Sequence, residues 1–224
     1  MIFWVILLAA LPVIALVYWF WIRPWHLRWG ATDEELRELL PGDELAPPHP
    51  ELDATHAITI HAPATDVWPW LVQLGQNRGG FYSYTWLENL VGCHMRNANW
   101  IKPEWQSLKV GDSVWLHPKA PPLKVLAIEP GRAIVLEKIW ALILRPIDER
   151  TTRLIVRGRG DYSPKLKNAF LNFLVWRVIF EPAHFIMERK MMLGIKRRAE
   201  GYSRATQGAR KLSLSADRNL SSRL

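Results

Sequence analysis

Hydrophobic and polar positions fall into three successive rhythms along the chain, and each predicts a different kind of element. Residues Ile2 to Ile22 are 21 consecutive uncharged, mostly apolar positions. At 1.5 Å per residue the run reaches about 31 Å, the hydrocarbon thickness of a bilayer, so it predicts a transmembrane helix. No Lys or Arg precedes it, and bulky Tyr18, Trp19, Phe20 and Trp21 close it, which argues against a cleaved signal peptide. Trp19, Trp21, Trp25 and Trp29 fit an interfacial aromatic belt. Arg23 and Arg28 just beyond it predict a single-pass protein of the cell membrane with the rest of the chain on the cytoplasmic side.

The second rhythm has period 2. In Thr55 to His61, Ile58 and Ile60 face one way and Thr59 and His61 the other, as in a half-buried strand. Pro63 then opens a helix carrying Val67, Trp68, Leu71 and Leu74, in which Pro69 should produce a kink. A Gly79-Gly80 turn, a short helix over residues 83–91 and a loop-rich stretch over 97–105 follow. Short apolar strands come next, over 112–117, 123–129, 132–138, 140–147 and 152–160. Turn signals at Pro121-Pro122, Pro130-Gly131 and Asp148-Glu149-Arg150 separate them, which predicts an antiparallel meander. In the last strand Leu154, Val156 and Gly158 alternate with Arg153, Ile155, Arg157 and Arg159, giving one apolar and one largely basic face.

The third rhythm is helical and runs to about Tyr202. Phe173, Trp176, Phe180, His184, Met187, Met191 and Ile195 recur every three or four residues as one apolar stripe, which predicts a long helix closing over a sheet. Its first part, AFLNFLVWRVIF from Ala169 to Phe180, is too short to span a bilayer. It is read as buried against the sheet, with immersion in a membrane interface as the alternative. The organisation is therefore an anchor (1–22), a juxtamembrane linker (23–54), one domain (55–202) and a basic, disordered tail (203–224). In the linker Thr32 caps a short acidic helix, and Pro47 to Pro50 reads as an extended connector holding the domain off the membrane.

Charge sharpens the two ends. Residues 189–224 hold ten Lys or Arg against Glu200 and Asp217, while residues 1–188 hold nineteen of each sign, so the whole net charge of +8 sits at the C-terminus. Lys196, Arg197, Arg198, Arg204, Arg210 and Lys211 form a polybasic end suited to anionic lipid, at about 1 kcal/mol per residue near the surface. Nucleic acid, the other acidic partner, is disfavoured. A single cysteine, Cys93, excludes an intrachain disulfide and is read as inert packing.

Four motifs carry a family resemblance: ITIHAPATDVWPWLVQLG from Ile58, GGFYSYTWLENLVG from Gly79 to Gly92, VLAIEPGRAIVL from Val125 to Leu136, and EPAHFIMERKMMLGIKRRAE from Glu181 to Glu200. Together they resemble the SRPBCC superfamily, the START-like helix-grip proteins of polyketide cyclase/dehydrase type, and in particular a bacterial membrane-anchored subgroup. The resemblance covers about Thr55 to Tyr202. It implies an α+β helix-grip fold, with a curved antiparallel sheet of six or seven strands closed by a long C-terminal helix. It also implies an elongated cavity for lipids or other apolar molecules. Lining candidates are Tyr82, Tyr84, Trp86, Trp140, Trp176, Phe180, His184, Met187 and Met191. The implied function is binding or transfer of a hydrophobic small molecule or lipid. A cyclase, dehydratase or isomerase in the same cavity, and a regulatory protein-interaction domain, are the alternatives.

No committed catalytic group emerges from the chain. His184 on the apolar stripe and Glu88 near the cavity mouth are the candidates for acid or base work, with His94 and Glu181 behind them. The histidines are scattered without metal-ligand spacing, so neither a metal nor a cofactor is expected. GQNRGG lacks the lysine of a P-loop and reads as a flexible lip on the cavity.

Overall fold

The computed structural model describes residue 10 and residues 12–161 and 166–221, with side chains to residue 209. Strands β1 (Leu52–Ile60), β2 (Ser113–Val114), β3 (Leu123–Glu129), β4 (Ala133–Leu136), β5 (Trp140–Asp148) and β6 (Thr151–Gly160) form one antiparallel sheet of order β1-β6-β5-β4-β3-β2. Neighbours from β2 to β6 are consecutive in sequence, as the regular turn signals require, and β1 joins at the far edge with Ile58 opposite Leu154. The expected strand over 112–117 is reduced to two residues, and β1 begins three residues earlier than expected.

On one face of the sheet lie α3 (Ala64–Val72), α4 (Thr85–Leu90) and α6 (Glu181–Ser221). Pro69 sits inside α3, whose Val67, Trp70 and Leu71 join Ile58, Ile60, Leu142, Leu154, Met192 and Ile195 in the main core. The helix α6 can lie close because Gly194 has no side chain: a Cβ there would stand 2.3 Å from the Tyr82 carbonyl oxygen. It continues to Ser221, so residues 203–221 are helical where a disordered tail was expected.

The opposite face is covered by the linker. After α1 (Arg23–Leu27), the Thr32 capping box starts α2 (Asp33–Arg37), with Glu35 N to Thr32 Oγ1 at 3.2 Å and Thr32 N to Glu35 Oε2 at 2.8 Å. The segment is no spacer. Its acidic side chains pair with the basic face of β6 and with β5: Glu35 with Arg153 (2.7 Å), Asp43 with Arg157 (2.5 Å) and Glu38 with Arg145 (2.6 Å). Arg157 is fully buried, and Leu40 packs with Val135, Ile143 and Ile155 beside it.

Two apolar segments project from the domain together. Residues 12–17 and the π-helical turn Tyr18–Ile22 lead into α1, while α5 (Ala169–Leu174) and the π-helical turn Val175–Phe180 run unbroken into α6. They touch at Trp19 with Phe173 (ring centroids 5.7 Å apart) and Trp25 with Phe185 (5.5 Å). Because rising numbers match rising numbers, the helices run parallel. Buried Glu181 locks the junction by accepting from Arg23 (2.8 and 3.1 Å) and Arg177 (2.6 Å). Beyond this lock Phe20, Trp21, Ile22, Phe170, Leu171, Phe173, Val178, Ile179 and Phe180 are exposed. Burial of Ala169 to Phe180 against the sheet is thus overturned, because only Trp176 of the segment is buried, against Leu52 and Ala54. The helix starting at Ala169 is, among the described residues, the one long and apolar enough to cross a membrane by length and composition. Of the expected span Ile2 to Ile22, residues 2–9 and 11 lie outside the described residues, and residues 12–22 are helical.

Candidate functional site

Between α6, α4 and the β3–β5 side of the sheet lies a cavity of about 250 Å³, lined by Phe81, Ser83, Glu88, Met95, Leu116, Leu123, Trp140, His184, Met187, Glu188 and Met191. Three larger pockets, of about 370, 470 and 600 Å³, are edged by charged side chains such as Arg150, Arg145 and Arg197. Of the four, the first exposes by far the least polar surface.

Local sequence explains how its walls are placed. Tyr82 takes a left-handed backbone (φ 56), held by Asn97, whose Oδ1 accepts from Tyr82 N at 2.7 Å while Nδ2 donates to Ser83 O (3.2 Å) and Thr85 Oγ1 (2.9 Å). That bend directs Phe81 and Ser83 to the cavity and leaves Tyr82 pointing away, where its hydroxyl accepts from Gln73 Nε2 at 2.9 Å. Ser83 Oγ donates to the Met187 carbonyl (2.8 Å), joining this loop to α6. Phe81 packs on Trp140 with ring centroids 6.0 Å apart.

One wall carries a buried polar cluster. Glu188 is 5% exposed and accepts from Trp140 Nε1 at 2.7 Å, while His56 Nδ1 lies 2.5 Å from its other oxygen. His56 Nε2 faces the His26 carbonyl at 2.7 Å. Burial opposes ionisation of Glu188, but the His56 hydrogen bond and charge, helped by His184 and Trp140, hold its carboxyl below the ordinary range. His56 thus sits between the Glu188 carboxyl and the His26 carbonyl, one contact at each ring nitrogen. His184 Nε2 stands 3.8 Å from Glu188, and burial drives its imidazole towards the neutral form.

The other wall carries a carboxyl of opposite character. Glu88 on α4 is 7% exposed, and its Oε2 has no hydrogen-bond partner among the described residues. Burial alone pushes it up to about 7. Behind it the Cys93 thiol is also raised, by burial and by Glu88.

Of the expected lining residues, Trp140, His184, Met187 and Met191 face the cavity, and both acid–base candidates, His184 and Glu88, do so too. The other five do not. Tyr82 points into the loop core, Tyr84 starts α4 under Lys190, Trp86 is 69% exposed, Trp176 packs at β1, and Phe180 lies on the exposed apolar helix pair. Glu188 was missed, although a carboxylate four residues after His184 on an apolar stripe is a readable signal. GQNRGG is no lip: Gln76 bonds the Trp115 carbonyl (2.8 Å) and Cys93 carbonyl (2.7 Å), Arg78 bonds the Val72 and Trp105 carbonyls, and none of its residues lines the cavity. Of the polybasic set, Lys196 is tied to Thr59 O (2.8 Å), and Arg198 to Ala98 O (2.8 Å) and Asn99 (2.9 Å). The side chains of Arg210 and Lys211 lie outside the described ones. No group of His, Cys, Asp and Glu suited to a metal ion occurs among the described residues. Compared with known proteins, the chain matches no family model and no curated sequence.

Proposed function

We propose that this chain is a membrane-anchored, START-like helix-grip protein that binds or transfers a hydrophobic small molecule or lipid in the cavity under α6. The observation that carries the reading is that cavity, whose walls are apolar except at Ser83, Glu88, His184 and Glu188. Such a site binds by removing apolar ligand surface from water, at about 25 cal/mol per Å², while a few polar groups set orientation. At about 250 Å³ it falls just below the roughly 300–1,000 Å³ of drug-sized pockets, which suits a compact apolar molecule or the end of a longer chain.

The membrane part of the proposal rests on the paired apolar segments. Their exposed Phe, Trp, Ile and Leu side chains continue the uncharged run from Ile2, and the Arg23–Glu181–Arg177 lock marks where the apolar surface meets the domain. In this reading the N-terminal helix spans the cell membrane, residues 169–180 bed in the cytoplasmic leaflet, and α6 leads from the lipid to the cavity wall at His184. A second reading, an acid–base enzyme of isomerase or dehydratase type, is favoured by one observation: two cavity carboxyls are driven to opposite protonation states. The test of the first reading is purification of the full chain from native membranes, followed by solvent extraction and mass spectrometry. A stoichiometric apolar molecule distinct from bulk lipid supports it, and protein yielding bulk lipid alone counts against it.

A further inference from the structure

We infer that the cavity selects an uncharged apolar molecule bearing an acceptor oxygen, a ketone, aldehyde or ester carbonyl, and that Glu88 donates the hydrogen bond that receives it. The inference rests on the cavity reading above and adds the ligand's polar chemistry to it. Hydrogen-bonding groups on the wall are otherwise committed: Trp140 N–H donates to Glu188, and Ser83 O–H donates to the Met187 carbonyl. Glu88 differs, being more than nine-tenths buried, on the cavity wall, and without a partner at Oε2 among the described residues. An unmatched buried carboxyl costs free energy that a ligand acceptor can offset, and Glu88 is on the cavity wall where such a ligand would lie.

The charges around the cavity narrow the class. An anionic ligand end would face both Glu88 and Glu188 in an apolar chamber, which is repulsive. A cationic end would find Glu188 already hydrogen-bonded to His56 and Trp140, and would have to ionise desolvated Glu88. A neutral acceptor asks for neither change. The titratable groups facing Glu88 are Cys93 behind it and His184 and Glu188 across the cavity. Cys93 is shifted upward by burial, His184 towards the neutral ring and Glu188 towards the carboxylate, so Glu88, pushed up to about 7, is the group that changes form near neutral pH. The donor is therefore present at pH 6 and gone at pH 9.

The experiment uses the full chain in nanodiscs with 2-octanone labelled with ¹³C at its carbonyl, read by isotope-edited infrared difference spectroscopy against empty nanodiscs. Wild type is expected to give a protein-dependent carbonyl band displaced to lower frequency at pH 6 and lost at pH 9. Glu88→Gln keeps a donor and should hold the displaced band at both pH values. Glu88→Leu should lose it and bind 2-octanone about tenfold more weakly, with octane binding unchanged. A protein-dependent band at the hydrocarbon position, or a displaced band retained in Glu88→Leu, overturns the donor assignment while leaving the apolar cavity standing. Octylamine binding more tightly than 2-octanone at pH 8, with the advantage lost in Glu88→Gln, overturns it in favour of a cation site. No protein-dependent signal from any of these probes overturns both this inference and the cavity reading.

Discussion

The two faces of the sheet treat charge in opposite ways. On the outer face, Arg145, Arg153, Arg157 and Arg159 meet Glu38, Glu35, Asp43 and Asp53 of the linker and β1, each in a specified ion pair. On the inner face, Glu188 is paired with His56, but Glu88 is left facing an apolar cavity. Matched charge on one side holds the linker in register. An unmatched carboxyl on the other is where the proposed ligand would have something to gain.

The largest effect should come from breaking the matched face. Arg157→Ala leaves Asp43 buried without its main partner and should destabilise the fold by about 4 kcal/mol in urea unfolding. A loss under 1 kcal/mol would make the linker a loose cover rather than part of the fold. The unmatched face predicts the reverse sign. Because Glu88 is raised to about 7 in the folded chain and ordinary when unfolded, the native state holds its proton more tightly. Its contribution is complete below about pH 4 and fades as pH rises through 7. Glu88→Gln lacks this loss and should be more stable than wild type at pH 9, by on the order of 3 kcal/mol. Equal pH–stability curves for the two proteins would place Glu88 in water rather than in the cavity wall.

The exposed apolar pair offers a smaller stability change with a large change of partition. Val178→Ser with Ile179→Ser should alter domain stability by less than about 0.5 kcal/mol. In vesicles of phosphatidylcholine, a fluorophore placed at Phe170 through Phe170→Cys should be quenched by brominated acyl chains, and less so with the two serines present. An unquenched label at Phe170 would show that this surface faces something other than lipid. Smallest of all, Trp86→Ala removes an exposed ring from α4 and should leave both stability and ligand retention unchanged.

Local features were readable from the chain because local chemistry dictates them. β3 falls at Leu123–Glu129 as its turn signals require, and Thr32 caps its helix with Glu35 as the spacing requires. The Arg face of β6 was visible too, but not its cover, since Arg153 and Glu35 lie 118 residues apart and only the tertiary fold brings them together. The same distance hid the His56–Glu188 pair, separated by 132 residues. Residues 169–180 were misassigned for a different reason: a mostly apolar helix reads the same from sequence whether or not its apolar side chains are buried in the domain. The lining aromatics failed at Tyr82, where a left-handed backbone turns the side chain opposite to the direction a plain loop would give.

On the proposed reading the cavity under α6 holds an apolar molecule. Native mass spectrometry of the full chain released from nanodiscs tests it directly, with wild type beside Met187→Trp, which fills the chamber from α6. A discrete small-molecule adduct is expected on wild type and none on the tryptophan variant, both proteins remaining folded. A bare wild-type mass, or an adduct carried equally by both, would contradict it.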